Sequence, residues 1–149
     1  MVTFVKLSIY GASSMPNQQD SPIEVLTLPV NSDSRGDLTA LDFSDLEMNP
    51  MRVFWVRNVP IGTTRGQHFH KICNQLLVCM NGSVKVNITL PNGIRFSDTL
   101  IQNSAVFLPA NHFVEYIFLD TNSELLVLAD QFFDSRDVFT IEDWEVEMK

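Results

Sequence analysis

A chain of 149 residues, 45% of them hydrophobic, has the length of one ordinary domain, enough to bury a core and too short for two. Its net charge of -8 argues against nucleic acid or an anionic membrane as a partner, because neutralising phosphates takes an excess of Lys and Arg that is missing; small anionic ligands need only a few local arginines. The two cysteines, Cys73 and Cys79, form no Cys-x-x-Cys, so neither a zinc knuckle nor a disulfide framework is expected, only buried thiols.

The apolar pattern has a period of two rather than 3.6 along the chain. Residues 2–9 form the first expected strand. They include Lys6 and lack the long apolar core of a signal peptide. No apolar run approaches the roughly 20 residues that span a bilayer, and a soluble cytoplasmic protein is expected. Residues 11–21 are rich in Ser, Asn, Gln and Pro and predict a loop. A second strand is expected over residues 23–30, stopped by a turn at Asn31-Ser32-Asp33-Ser34, and a third over residues 38–43. After a connection at 45–50, a fourth covers residues 51–59 until Pro60 breaks it.

The clearest strand is 83–90, where Val84, Val86, Ile88 and Leu90 alternate with Ser83, Lys85, Asn87 and Thr89. Pro91-Asn92-Gly93 turns it into a hairpin with residues 94–101. Strands at 105–108, 113–118 and 125–129 follow, separated by Asn, Asp, Ser or Pro. The acidic tail, 134–149, carries Phe139, Ile141 and Trp144 and is expected as a short helix or strand packed over the barrel or over a partner subunit. Many short strands without a long amphipathic helix predict an all-β double-sheet roll or barrel, one domain over residues 1–149.

One stretch carries the chemistry. From Gly62 to Gly82 the chain spaces a glycine, His68-x-His70, the amide Gln75 and a second glycine. On a strand, residues two apart share a face, so His68 and His70 converge while Phe69 points away. Gln75 begins the next run, with Leu77 and Cys79 at its parity, and is placed beside the histidines across a strand ladder. The spacing matches the first cupin motif at every anchor but Gln75, where metal-binding cupins carry glutamate.

Taken with Arg35-Gly36-Asp37-Leu38, Arg52-Val53-Phe54-Trp55-Val56, Arg65-Gly66-Gln67-His68-Phe69-His70-Lys71, Gln75-Leu76-Leu77-Val78-Cys79, Asn81-Gly82-Ser83-Val84-Lys85-Val86, Val127-Leu128-Ala129-Asp130, Phe132-Phe133-Asp134 and Asp137, the chain resembles the sugar nucleotide 3,4-ketoisomerases of the cupin superfamily. The Arg-Gly-x-His core also resembles that of the related deoxysugar epimerases. The resemblance implies a cupin jelly roll, a homodimer with exchanged N-terminal strands (residues 1–30 here), and a dTDP-linked 4-keto-6-deoxyhexose as substrate. The carbonyl would move from carbon 4 to carbon 3 without metal or cofactor, and the product would feed a transaminase that makes a 3-amino sugar for surface polysaccharide.

The residue types suit such chemistry. A hydrogen beside a ketone is acidic enough for a base of near-neutral pKa, and histidine, at roughly 6.5, is that base. The resemblance assigns His68 and His70 as the acid/base pair, with His70 expected to take the carbon-bound proton. Arg65 is expected to reach the diphosphate or the sugar as a charge-assisted donor. Gln75 and Glu115 are expected to bond a sugar hydroxyl or orient an imidazole, and Arg52 lies in the matched segments. Of Glu115 and Tyr116, neighbours on one strand, at most one can enter the barrel.

Several family members place tyrosines where this chain has Phe54 and Trp55. Trp55 keeps the ring for stacking on a nucleotide base; a hydroxyl role from that strand is vacant or passes to Tyr116. Two other functions compete. A metal-dependent cupin enzyme would use His68, His70 and His112, but Gln75 replaces the usual carboxylate and the second-motif position is occupied by Val114. A sugar-binding cupin without turnover would need no paired histidines.

Overall fold

The computed structural model describes residues 23–45 and 48–147. Among the described residues eleven strands run in the order β1 (Val25–Thr27), β2 (Val30–Asp33), β3 (Gly36–Thr39), β4 (Arg52–Val56), β5 (Thr64–His68), β6 (Gln75–Asn81), β7 (Ser83–Thr89), β8 (Arg95–Ile101), β9 (Ser104–Leu108), β10 (Phe113–Phe118) and β11 (Glu124–Ala129), followed by one α-helix, α1 (Ile141–Glu147). Five strands form one antiparallel sheet in the order β1-β9-β6-β11-β4; four form a second in the order β5-β10-β7-β8; β2 and β3 make a separate hairpin. This is the expected jelly roll, and among the described residues no helix is long and apolar enough to cross a membrane.

Alternation decides what lies between the two sheets. Val84, Val86 and Ile88 of β7 with Val114, Tyr116 and Phe118 of β10 meet Leu77 and Cys79 of β6, Val106 and Leu108 of β9 and Leu125 and Val127 of β11 in one core. The other face of the five-stranded sheet is covered too, because Leu76, Val78, Ala105 and Leu128 pack under Leu28 and Met48. A strand buried on both faces has no polar side to alternate with, which is why β6 carries the unbroken apolar run from Leu76 to Cys79. Both cysteines are free and buried, and burial pushes the Cys79 thiol up to about 11, as expected of packing residues.

The hairpin expected around Pro91-Asn92-Gly93 forms with the register Ser83↔Ile101 through Thr89↔Arg95. Gly93 takes a φ of 84° there, a conformation that glycine adopts at no steric cost.

The N-terminal expectations need correction. The strand and loop expected at residues 2–9 and 11–21 lie outside the described residues. The strand expected over 23–30 is two, interrupted at Leu28 and Pro29. The turn expected at Asn31–Ser34 begins three residues later, at Ser34: Asn31, Ser32 and Asp33 belong to β2. The Asp33 carboxylate accepts the Arg35 amide at 2.8 Å, an Asx turn that fixes the reversal at Ser34 and Arg35. The third strand is correspondingly β3, and its expected end at Phe43 is instead the start of a 3-10 turn, Phe43–Asp45.

The tail packs onto the histidine segment. Asp134 caps a 3-10 turn, Ser135–Asp137, by accepting the Arg136 amide. Phe139 then forms an antiparallel bridge with Phe69, each amide donating to the other's carbonyl at 3.0 Å. Trp144 of α1 meets the Phe69 and Phe113 rings edge-on and tilted, with centroids 5.1 and 6.0 Å away. The tail thus ends in a short helix that packs on the histidine segment.

Candidate active site

A cavity of about 560 Å³ opens between the sheets at the end where β4, β5, β6 and β10 meet the tail, lined among others by Arg52, Phe54, Arg65, His68, His70, Gln75, Tyr116, Phe133 and Val138. His68 ends β5, and the Phe69–Phe139 bridge keeps the chain extended for one residue more. His68 and His70 therefore turn to the same side, their ring centroids 5.0 Å apart and their planes at 79°. Phe69 faces the tail and is 1% exposed.

A bulge in β5 aims the first histidine. Val114 pairs with His68 and Glu115 with Gly66, so Gln67 is the extra residue, and Gly66 and Gln67 take φ of 80° and 58°. Such bulges bend a strand and redirect the side chain that follows. Gly66 is required twice over. Besides its positive φ, a Cβ there would come within 2.9 Å of both the Tyr116 ring and the Val114 carbonyl oxygen.

His70 is 8% exposed. Its Nδ1 lies 2.5 Å from the Asp137 backbone oxygen, so the proton sits on Nδ1 and donates to that carbonyl. Nε2 is left as the lone-pair nitrogen, 3.4 Å from the Gln75 amide nitrogen. The Asp137 carboxylate is engaged by the Lys71 amide at 2.8 Å and lies 3.6 Å from His70 Nδ1. Burial and the neighbouring His68 push the His70 pKa below the usual 6.5, against the Asp137 carbonyl and carboxylate. A ring that is neutral at pH 7, with its free nitrogen fixed in a cavity, is equipped to take a proton.

Gln75 meets His70, although not across a ladder. β6 and β5 belong to opposite sheets, so the amide reaches the ring across the mouth of the roll. A neutral amide at this place adds no negative charge that would hold the ring protonated.

Tyr116 enters the cavity and Glu115, at the other parity, does not; the Glu115 carboxylate accepts the Gln67 side-chain amide at 3.4 Å outside it. Arg52 reaches the interior of the cavity, while Trp55, 55% exposed, lies at its rim with Arg57, whose guanidinium is 5.9 Å from the Trp55 ring. His112 is buried, but its Nδ1 is bonded to the Ala110 carbonyl at 3.0 Å and it does not line the cavity. His68, His70 and His112 are thus not gathered, and among the described residues no group of three or more His, Cys, Asp or Glu could hold a metal ion.

Phe133, Val138 and the Asp137 carbonyl were not anticipated as parts of the site. They arrive from a tail that is sequence-distant, and a backbone oxygen leaves no trace in residue type. Phe133 and Asp137 lie in segments that carry the resemblance, with no role attached.

Two antiparallel sheets rolled around the paired rings of His68 and the buried His70 make this a cupin. The family model described as "FdtA: WxcM-like, C-terminal" matches residues 21–148. The chain belongs to that family. It is 32% identical over 108 residues to a TDP-4-oxo-6-deoxy-alpha-D-glucose-3,4-oxoisomerase of Aneurinibacillus thermoaerophilus, covering 70% of this chain and 76% of that one. The solved structure of QdtA, a sugar 3,4-ketoisomerase from Thermoanaerobacterium thermosaccharolyticum in complex with TDP, superposes with a TM-score of 0.77 at 26% identity over 85% of this chain and 93% of that one. A dTDP-4-dehydrorhamnose 3,5-epimerase from Bacillus anthracis, 16% identical over 83% of this chain and 79% of that one, shares the fold with a TM-score of 0.71.

Proposed function

We propose that this protein is a sugar nucleotide 3,4-ketoisomerase that moves the keto group of a TDP-linked 4-keto-6-deoxyhexose from carbon 4 to carbon 3. The observation that carries this function is the His70 ring, whose Nδ1–H is held by the Asp137 carbonyl while Nε2 faces the cavity. His70 takes the proton from carbon 3, whose acidity comes from the adjacent ketone. The enediol that results receives a proton at carbon 4 and gives up the one on the carbon 3 oxygen, and His68, beside it, divides these transfers with His70. Nothing is oxidised or reduced overall, so no redox cofactor is required.

Around the pair, Gln75 orients the His70 ring or a sugar hydroxyl. Arg65, exposed at the rim, is suited to the diphosphate, Trp55 to stacking on the base, and Arg52 and Tyr116 to the sugar. A 3-keto product is the substrate class of an aminotransferase that installs a 3-amino group. The relatives' thymidine nucleotide, a homodimer with exchanged N-terminal strands and a cytoplasmic location complete the proposed function; sedimentation equilibrium tests the dimer.

The test is incubation with dTDP-4-keto-6-deoxyglucose in heavy water, followed by NMR. The expected result is a 3-keto product with deuterium at carbon 4. Unchanged substrate with the wild-type protein would remove the assignment.

A further inference from the structure

Arg52 heads β4 and pairs with Ala129 of β11, which in turn pairs with Gln75 of β6. Residues directly opposite on neighbouring strands share a face of the sheet. Arg52 and Gln75 therefore rise on one face two strands apart, about 10 Å at the usual strand spacing, and Gln75 is the residue whose amide touches His70. The guanidinium lies over two rings, 4.9 Å from the Phe54 centroid and 5.3 Å from that of Phe133. Aromatic faces attract a guanidinium without consuming its N–H donors.

Arg52 is short of polar partners. Its Nε is buried without a hydrogen-bond partner, and among the described residues no carboxylate forms an ion pair with it. A half-buried cation with no carboxylate partner has donors to spare for a negative group that enters the cavity. The other two arginines of the cavity, Arg57 and Arg65, are exposed, where a hydrated diphosphate would lie. Arg52 is the half-buried one.

We infer that Arg52 is the oxyanion group of the reaction: it bonds the sugar's ketone oxygen and stabilises the negative charge formed there on enolisation. This assignment rests on the ketoisomerase function proposed above. As the C–H bond at carbon 3 breaks toward His70 Nε2, its electron pair becomes the double bond between carbons 3 and 4, and the carbonyl π pair moves onto the carbon 4 oxygen. Arg52 donates to that oxygen and remains protonated throughout. The carbon 3 hydroxyl then gives up its proton and the carbon 4 oxygen takes one through the histidine pair, which moves the negative charge to the carbon 3 oxygen. As a histidine protonates carbon 4, the double-bond pair forms the new C–H bond and the carbon 3 oxygen's pair closes the new carbonyl.

The charged and titratable groups that face His70 are His68 from β5, Asp137 from the tail and Arg52 from β4, and the Arg52 charge is among the causes that lower the His70 pKa. Removing it has a sign that a merely structural role does not produce. In Arg52→Gln, kcat is expected to fall about 100-fold with KM changed no more than about threefold, the size found on removing one oxyanion donor. The acid limb of kcat/KM is expected to move to higher pH, because His70 loses a cationic neighbour. Arg52→Lys keeps the charge and is expected to retain an intermediate kcat with an unmoved limb, and guanidinium ion added to Arg52→Gly is expected to restore part of the rate.

A raised KM at unchanged kcat would mean a diphosphate grip and overturn the inference. So would a rate loss with no movement of the limb and no rescue. If Arg52→Gln fails to fold, Arg52→Lys decides, since wild-type KM with lowered kcat supports the inference and unchanged kcat overturns it. Absence of turnover by the wild type sinks the proposed function itself, whereas failure confined to these variants sinks only the role of Arg52.

Discussion

At His70 two opposing influences meet: burial and His68 favour the neutral ring, and the Asp137 carbonyl and carboxylate favour the cation. The first prevail, so the acid limb of kcat/KM is expected below pH 6.5, the ordinary histidine value. A stopped assay across pH 4 to 9 checks it; a limb above pH 7 contradicts it. His70→Asn keeps a polar side chain but cannot abstract the proton, and a loss of about 100-fold to 10,000-fold in deuterium exchange at carbon 3 is expected. Gly66 tests a different physics. Gly66→Ala forces a methyl against the Tyr116 ring and the Val114 oxygen at a φ that alanine disfavours, and a loss of about 1–3 kcal/mol is expected from urea unfolding.

At the scale of elements, the tail is the unforeseen contributor. Its 3-10 turn delivers the Asp137 carbonyl, its bridge to Phe69 extends β5 past its own last residue, and Trp144 locks both by packing on Phe69 and Phe113. The tail thus both lines the cavity and fixes the His70 ring. Trp144→Ala removes a ring that is 7% exposed and is expected to cost about 3–5 kcal/mol, the usual range for a buried aromatic truncated to alanine. Trp144→Phe, which retains the ring contact, is expected to recover most of that loss. Thermal melts measure both, and equal stability of the alanine variant and the wild type would show that the tail is not docked.

For the whole molecule, the buried histidines set the response to acid. Burial lowers the pKa of His70 and of His112 below 6.5. The unfolded chain therefore binds more protons than the folded one once the pH falls below that value, and stability present above pH 6.5 is lost as the pH drops toward the folded-state values. The slope is at most about 1.4 kcal/mol per pH unit for each ring. Urea midpoints at pH 7.5, 6.5 and 5.5 measure it, and His112→Gln, outside the cavity, is expected to flatten the dependence without affecting turnover near neutral pH.

The periodicity of residues 83–90, the turn at Asn92 and Gly93 and the spacing of His68 and His70 are local, so the chain alone specified the hairpin and the paired imidazoles. Its motif also placed Gln75 next to them. The sequence did not indicate that Gln75 arrives from the opposite sheet, that Tyr116 rather than Glu115 enters the cavity, or that the first reversal begins three residues later, held by Asp33. Bulge register, sheet partnership and the choice of a tautomer by a backbone carbonyl are decided by contacts between segments tens of residues apart. An amino-acid type encodes its own propensity and chemistry; which neighbour satisfies it is settled only when the sheets close.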